Sequence, residues 1–178
     1  PRYFEYDFGG QTSSVPPLAI EDEGRHILIR GKIDRVDVNE ADKAALVLDY
    51  KRSMEFDKKN LELGVALQLP IYSMVAEEFL KVKPAGAELY SLVKRDKRGF
   101  YLSDYAHLFP GLNKRRMILS ASEYEALMAR SRDFIRRFSR GMQEMKIALH
   151  YLTPFTANWH PTVVTCSALN GAGVPEIW

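Results

Sequence analysis

Two strand-like runs close around a polar segment, and this hairpin governs the rest of the chain. The first ends Gly31-Lys-Ile-Asp-Arg-Val-Asp-Val38, and the second reads Ala45-Leu-Val-Leu-Asp-Tyr-Lys-Arg52. Apolar, β-branched runs on either side of a polar stretch signal paired strands joined by a turn. Folded about the Ala41–Asp42 bond, the runs set Val38 opposite Ala45, Val36 opposite Val47 and Asp34 opposite Asp49. Directly opposed residues share a face, with β-carbons about 4.5–5.5 Å apart. Residues two apart on one strand also share a face, so Lys51 joins Asp49 there. Val36 and Val47 make this face apolar, and Ile33, Leu46 and Leu48 do the same for the other. A sheet apolar on both sides needs cover on both sides. The expected class is therefore α/β, a central mixed sheet flanked by helices.

Two carboxylates facing each other across a strand pair repel, and a cation between them removes that penalty. An all-oxygen site suits a hard divalent ion such as Mg²⁺ or Mn²⁺. Such an ion polarises a phosphoryl oxygen and lowers the pKa of bound water. Lys51 would orient or deprotonate that water, or neutralise charge in the transition state. On spacing alone, a surface salt-bridge patch is the alternative.

Elsewhere, alternation predicts strands over Arg2–Phe8, Leu18–Ile20, His26–Val38, Gly86–Lys94 and Phe100–Leu102. Residues Asp57–Leu80 carry Leu61, Val65, Leu69, Tyr72 and Ala76 at helical spacing, with Asp57 as N-cap and a kink expected at Pro70. Gln68 and Tyr72 are four apart and share one helix face. They point toward a site on the sheet, or else form a buried Tyr and a satisfied Gln in the helix–sheet contact. Ser122 and Glu125 form a capping-box pattern. A long helix should follow toward Arg140, with Tyr124, Leu127, Phe134, Ile135 and Phe138 facing inward. Arg132, Arg136 and Arg140 align on one face of that helix. With Lys94–Arg98 and Lys114-Arg115-Arg116 they can contact phosphates, which gives affinity without sequence readout; a solvated basic face is the alternative.

Bulk properties narrow the classes. A net charge of +2 makes no case for nucleic acid by itself. A single cysteine, Cys166, rules out an intramolecular disulfide framework. No apolar run reaches the roughly 20 residues of a membrane span, and no signal-peptide pattern opens the chain. A cytoplasmic location without membrane contact is the expectation. The chain opens at Pro1 without Met, directly in a strand-like segment, and is expected to be a fragment of a longer protein.

Gly31-Lys-Ile-Asp-Arg-Val-Asp37, Leu48-Asp-Tyr-Lys51 and Gln68-Leu-Pro-Ile-Tyr72, led by Tyr3-Phe-Glu-Tyr-Asp-Phe-Gly-Gly10, occur in order at characteristic spacing. Together they closely resemble the nuclease domain of the RecB/AddB family, part of the PD-(D/E)xK nucleases, over about residues 2–141. The resemblance implies a restriction-endonuclease-like core and metal-dependent hydrolysis of DNA, as an exonuclease of recombination and repair. It implies that Asp34 and Asp49 bind the metal, with the backbone carbonyl of Tyr50 as a further ligand, and that Lys51 is catalytic. Gln68 and Tyr72 match the family's Q-xxx-Y signature. DNA and a helicase subunit or helicase domain are the implied partners. The iron–sulfur cluster of some relatives needs four cysteines and is not expected. A histidine that the family supplies from a helix before the first strand has no counterpart, since His26 lies within a strand region. A nuclease-like module that only binds DNA or braces a larger assembly is the alternative function.

From about residue 143 the pattern changes. Trp159-His-Pro-Thr-Val-Val-Thr-Cys-Ser-Ala-Leu169 and Gly171-Ala-Gly-Val-Pro-Glu-Ile-Trp178 are similar to the C-terminal part of the G domain of MeaB/ArgK GTPases. The expected tail, 142–178, is a short helix–strand appendage. GTPase function is not expected, because the chain has no G-xxxx-G-K-[ST] loop to cradle phosphates. Asn39-Glu-Ala-Asp42 resembles a guanine-reading motif by coincidence, since Glu40 stands where lysine is needed.

Overall fold

The computed structural model describes residues 1–52, 56–112 and 117–150. Two compact units divide the chain, Pro1–Arg136 and Arg137–Trp178. The first holds every strand described below. Of the second, only a helical stretch to His150 is described, so the helix–strand appendage expected over 142–178 otherwise lies outside the described residues.

A six-stranded mixed sheet runs from edge to edge through β1 (Arg2–Phe8), β4 (Gly31–Asn39), β5 (Ala44–Lys51), β6 (Lys83–Ser91), β7 (Asp96–Leu102) and β8 (Met117–Leu119). The expected hairpin register is present where Val36 pairs with Val47 and Val38 with Ala45, but the ladder ends at Arg35–Leu48, one residue short of the expected Asp34–Asp49 pair. The Asn39 carboxamide oxygen accepts the Ala41 and Asp42 N–H groups at 3.0 and 3.2 Å and shapes the turn. β5 and β6 are parallel, which requires the helical crossover between them.

The single strand expected over His26–Val38 is two. β2 (Leu18–Asp22) and β3 (Arg25–Ile29) pair in a separate small sheet. Their turn residues Glu23 and Gly24 have φ of 50° and 78°, as a two-residue primed turn requires. The chain leaves this sheet at Arg30. It enters the large one at Gly31, where a Cβ would lie 2.9 Å from the Phe8 ring. Alternation continues across the break and conceals it.

The helix expected over Asp57–Leu80 is also interrupted. It comprises α1 (Lys58–Glu62), α2 (Gln68–Val75) and a π-helical turn, Ala76–Leu80. Asp57 does cap α1, its side chain accepting the Lys59 N–H at 2.9 Å. Gly64 then stops it with φ 73°, as a left-handed terminal residue does. A Cβ at Gly64 would stand 2.9 Å from the Arg130 carbonyl carbon, so the close approach also demands glycine. Pro70 becomes the third residue of a new helix. Its missing N–H has no intrahelical partner to lose there, and no kink results.

α3 (Ala121–His150) begins two residues earlier than the Ser122–Glu125 pattern suggests. Ser120 is the capping residue: its N–H donates to Glu123 Oε2 at 2.7 Å, and the Glu123 N–H donates to Ser120 Oγ at 3.3 Å. The Ser120 N–H first, then the Ser120 hydroxyl donating to the same Oε2 at 2.8 Å, hold the Glu123 carboxyl below its ordinary pKa. Ser120→Ala is expected to cost about 1 kcal/mol in urea unfolding. Tyr124, Leu127, Met128 and Ile135 are buried as a stripe, Phe134 is half-buried, and Phe138, in the second unit, is 61% exposed rather than facing inward.

One face of the sheet carries the main core, where Val36, Val47, Ala87 and Phe100 join a cluster with Leu61, Leu69, Val75, Tyr124 and Leu127. Ile33 belongs to this same buried cluster, not to a second one. On the opposite face Leu48, Glu88 and Tyr101 are buried, beside a 3₁₀ turn, Ser103–Leu108, that packs on β6 and β7. β8 is absent from the sequence expectations, being three residues long and too short to show alternation. Among the described residues no helix is long and apolar enough to cross a membrane.

Candidate active site

Asp49 lies near the C-terminal end of β5, where β6 remains paired, Asp49 facing Leu89. On the other side the β4–β5 ladder closes at Arg35–Leu48. One residue further, a side chain replaces the ladder. The Tyr50 N–H donates to Asp34 Oδ2 at 2.7 Å, which draws the Asp34 carboxylate toward β5 and leaves its second oxygen outside that bond.

Lys51 Nζ sits 2.7 Å from Asp49 Oδ2. The other oxygen, Oδ1, accepts a hydrogen bond from Gln68 Nε2 at 2.7 Å. Gln68 Nε2 also donates to the Tyr72 hydroxyl at 3.2 Å, and that hydroxyl donates to the Lys32 carbonyl at 2.8 Å. A continuous relay thus runs from β4 through α2 to Asp49. Both expectations for Gln68 and Tyr72 meet here: the tyrosine is buried against the sheet, and the glutamine addresses the carboxylate. Burial first, then the neighbouring carboxylates, raise the Tyr72 pKa, so the phenol keeps the proton it donates.

Asp49 is only 3% exposed, and its Oδ2 has no aligned hydrogen-bond donor. The Lys51 ammonium is near enough for an ion pair without that alignment. Burial raises the Asp49 pKa, Lys51 counteracts it, and the Asp34 charge adds to the rise. A buried carboxylate oxygen lacking a donor, beside a second carboxylate, is a donor set that fits a hard cation. Among the described residues, no group of three or more His, Cys, Asp or Glu side chains gathers to hold a metal. Any further ligand must be backbone, water or substrate.

The raised pKa carries a stability consequence. Folded Asp49 holds its proton more tightly than unfolded Asp49, so stability falls as pH rises from the unfolded value through the raised one. Asp49→Asn is expected to raise the thermal midpoint at pH values above the raised Asp49 pKa and to leave it little changed below the unfolded one. Melting curves across pH check this; equal midpoints at high pH would contradict it.

The Tyr50 side chain lies on the other side of the sheet, where Arg35 donates to its hydroxyl at 3.3 Å and its ring meets Tyr90 edge-on. Among the basic candidates, Arg132 and Arg136 lie on α3 within the first unit and Arg140 in the second. Arg136 Nε donates to the Glu21 carbonyl at 2.8 Å and so also secures β2. Lys114 and Arg115 lie outside the described residues. Spacing does not single out the link between the β6–β7 turn and the site. The Leu92 N–H donates to the Lys51 carbonyl at 2.8 Å, which places exposed Lys94 and Arg95 on a turn anchored to the end of β5.

A sequence model of the PD-(D/E)XK nuclease superfamily matches residues 1–167. The chain is 41% identical over 78 residues to a subunit of the ATP-dependent helicase/deoxyribonuclease of Lachnoclostridium phytofermentans, covering 38% of this chain and 7% of that protein. The protein of the same description in Clostridium kluyveri is 35% identical over 102 residues, 52% of this chain and 9% of that one. The exonuclease/helicase subunit RexB of Streptococcus pneumoniae is 39% identical over 69 residues, 38% and 6% respectively. The chain therefore spans less than a tenth of the length of each of these relatives.

Proposed function

This chain belongs to the PD-(D/E)XK nuclease superfamily, as a domain of the RecB/AddB type, and we propose that it hydrolyses phosphodiester bonds in DNA. Asp34, Asp49 and the backbone carbonyl of Tyr50 hold a divalent ion, Mg²⁺ or Mn²⁺. The observation that carries this reading is Asp49 itself. It is a buried carboxylate with one oxygen fixed by Gln68 and the other lying beside Lys51 without an aligned donor. The ion, when bound, polarises the phosphoryl oxygen and lowers the pKa of its water.

The chain's own residues do the rest. Tyr72 fixes Gln68, and Gln68 fixes the Asp49 rotamer through Oδ1. Asp34 is oriented by the Tyr50 N–H and presents its second oxygen. Lys51 donates toward the attacking water or the phosphoryl oxygen, where negative charge grows in the transition state. The water oxygen bonds to phosphorus and the bond to the departing nucleoside oxygen breaks. The proton lost by the water passes to solvent, and the departing oxygen takes one up. Arg132, Arg136, Lys114 and Arg115, with the turn carrying Lys94 and Arg95, supply phosphate contacts, and Arg140, in the second unit, separately supplies a further one. The relatives' names support exonuclease action beside a helicase partner.

Digestion of linear single- and double-stranded DNA tests the proposal. Cleavage is expected with Mg²⁺ or Mn²⁺, none in EDTA, and none from Asp49→Ala. Equal cleavage by wild type and Asp49→Ala excludes the assignment. Salt-sensitive binding with no cleavage in either metal leaves only a nuclease-like DNA-binding module.

A further inference from the structure

We propose that a cavity of about 250 Å³ beside Gln68 receives one unpaired nucleobase of the strand being cut. The inference rests on the nuclease reading and names the form of DNA that this site takes. The cavity exists because the expected continuous helix is broken. After Gly64, the Asn60 carbonyl accepts the Val65 and Ala66 N–H groups at 2.9 and 3.1 Å and folds the linker back over α1. A helix running unbroken through these residues would have no such recess between α1 and α2.

Phe56, Leu61, Leu67 and Leu89 supply apolar walls, and Asn60 and Gln68 supply carboxamides. Two links tie the cavity to the reacting centre. Gln68 lines it and donates to Asp49 Oδ1 at 2.7 Å. Leu89, another lining residue, is the β6 partner of Asp49. An occupant therefore lies one side chain from the carboxylate.

The chemistry selects a base over a phosphate. Among the described lining residues there is no Lys or Arg, and the Asp57 carboxylate among them would repel a phosphate. Apolar and aromatic walls accept the π-face of a base, and carboxamides meet its hydrogen-bonding edge. The volume falls below the roughly 300–1,000 Å³ typical of drug-sized ligands, so it suits one ring system and not a stacked pair. A base within a duplex is paired and stacked, so entry requires a single strand or a frayed end.

The test moves 2-aminopurine along a short single strand bound with Ca²⁺ in place of Mg²⁺. One position is expected to change its emission sharply in the wild type. The same position should stay silent in Ala66→Trp, which sets an indole at the exposed rim of the cavity. An abasic residue at that position should weaken wild-type binding about tenfold and leave Ala66→Trp binding unchanged. The proposal is overturned if all positions respond alike, if the abasic strand binds as tightly as its parent, if the variant responds like wild type, or if no single strand binds. Any of the first three results in a protein with intact Mg²⁺-dependent cleavage removes the base site alone. A position-specific response in a protein that cuts no DNA removes the nuclease reading alone.

Discussion

Lys51→Ala is expected to lower single-turnover cleavage of linear DNA by about three orders of magnitude, with little change in DNA affinity. The lysine's ammonium is 2.7 Å from Asp49 Oδ2 and its side chain stays partly exposed at the end of β5, so the sheet does not depend on it. Its loss should act in two ways. The growing charge on the phosphoryl oxygen loses its cation. Asp49, whose pKa Lys51 holds down against burial, rises further. The residual rate should therefore fade at higher pH on its acid side than the wild-type rate does. Lys51→Arg should not restore activity, because a planar guanidinium cannot reproduce the point charge of an ammonium. Cleavage within a factor of about two of wild type would remove Lys51 from the reaction. A reduced rate without the pH displacement would show that Lys51 acts without touching Asp49.

Gly99→Ala should destabilise the fold by about 3 kcal/mol or more. Gly99 pairs with Glu88 across β7 and β6. A Cβ there would overlap the Ala87 carbonyl oxygen and approach the Glu88 Cα to 3.0 Å. Both obstacles are backbone, so neither can rotate away; the strands must separate. Glu88 is buried beneath this crossing, accepting the Tyr101 hydroxyl at 2.6 Å and pairing with Lys97 at 2.9 Å, so separation also disrupts a buried ion pair. Urea unfolding monitored by circular dichroism measures the effect. An unchanged midpoint at unchanged slope would mean that β6 and β7 do not pair in this register.

The same glycine shows where sequence reasoning stops. In the chain it stands at the end of a basic turn, and a turn residue is what its neighbours suggest. Its actual constraint is a close approach from Ala87, far away in sequence, and no local pattern reports that. Gly64 is similar, since its neighbour is the backbone of Arg130. The Asp34–Asp49–Lys51 grouping is legible because strand alternation has a fixed period, and a polar turn between apolar runs leaves one register. Gln68 and Tyr72 are legible as a pair at helical spacing, though not as a relay ending on the Lys32 carbonyl. The break at Arg30 is hidden because both sheets demand the same alternation. The Ser120 cap is masked because Ser122 with Glu125 repeats the same pattern two residues on.

β5 is bordered by β4 on one side and β6 on the other. Backbone amides at such a central position exchange with solvent only when the whole sheet opens. Val47, paired with Val36 on one side and Ala87 on the other, should thus fall in the slowest hydrogen-exchange class, while the outermost strands β1 and β8 exchange first. If the chain cuts DNA as proposed, a reacting centre at the end of a strand so anchored would not bend to meet its polymer; the polymer would be threaded to it, and any give in the encounter would belong to the margins.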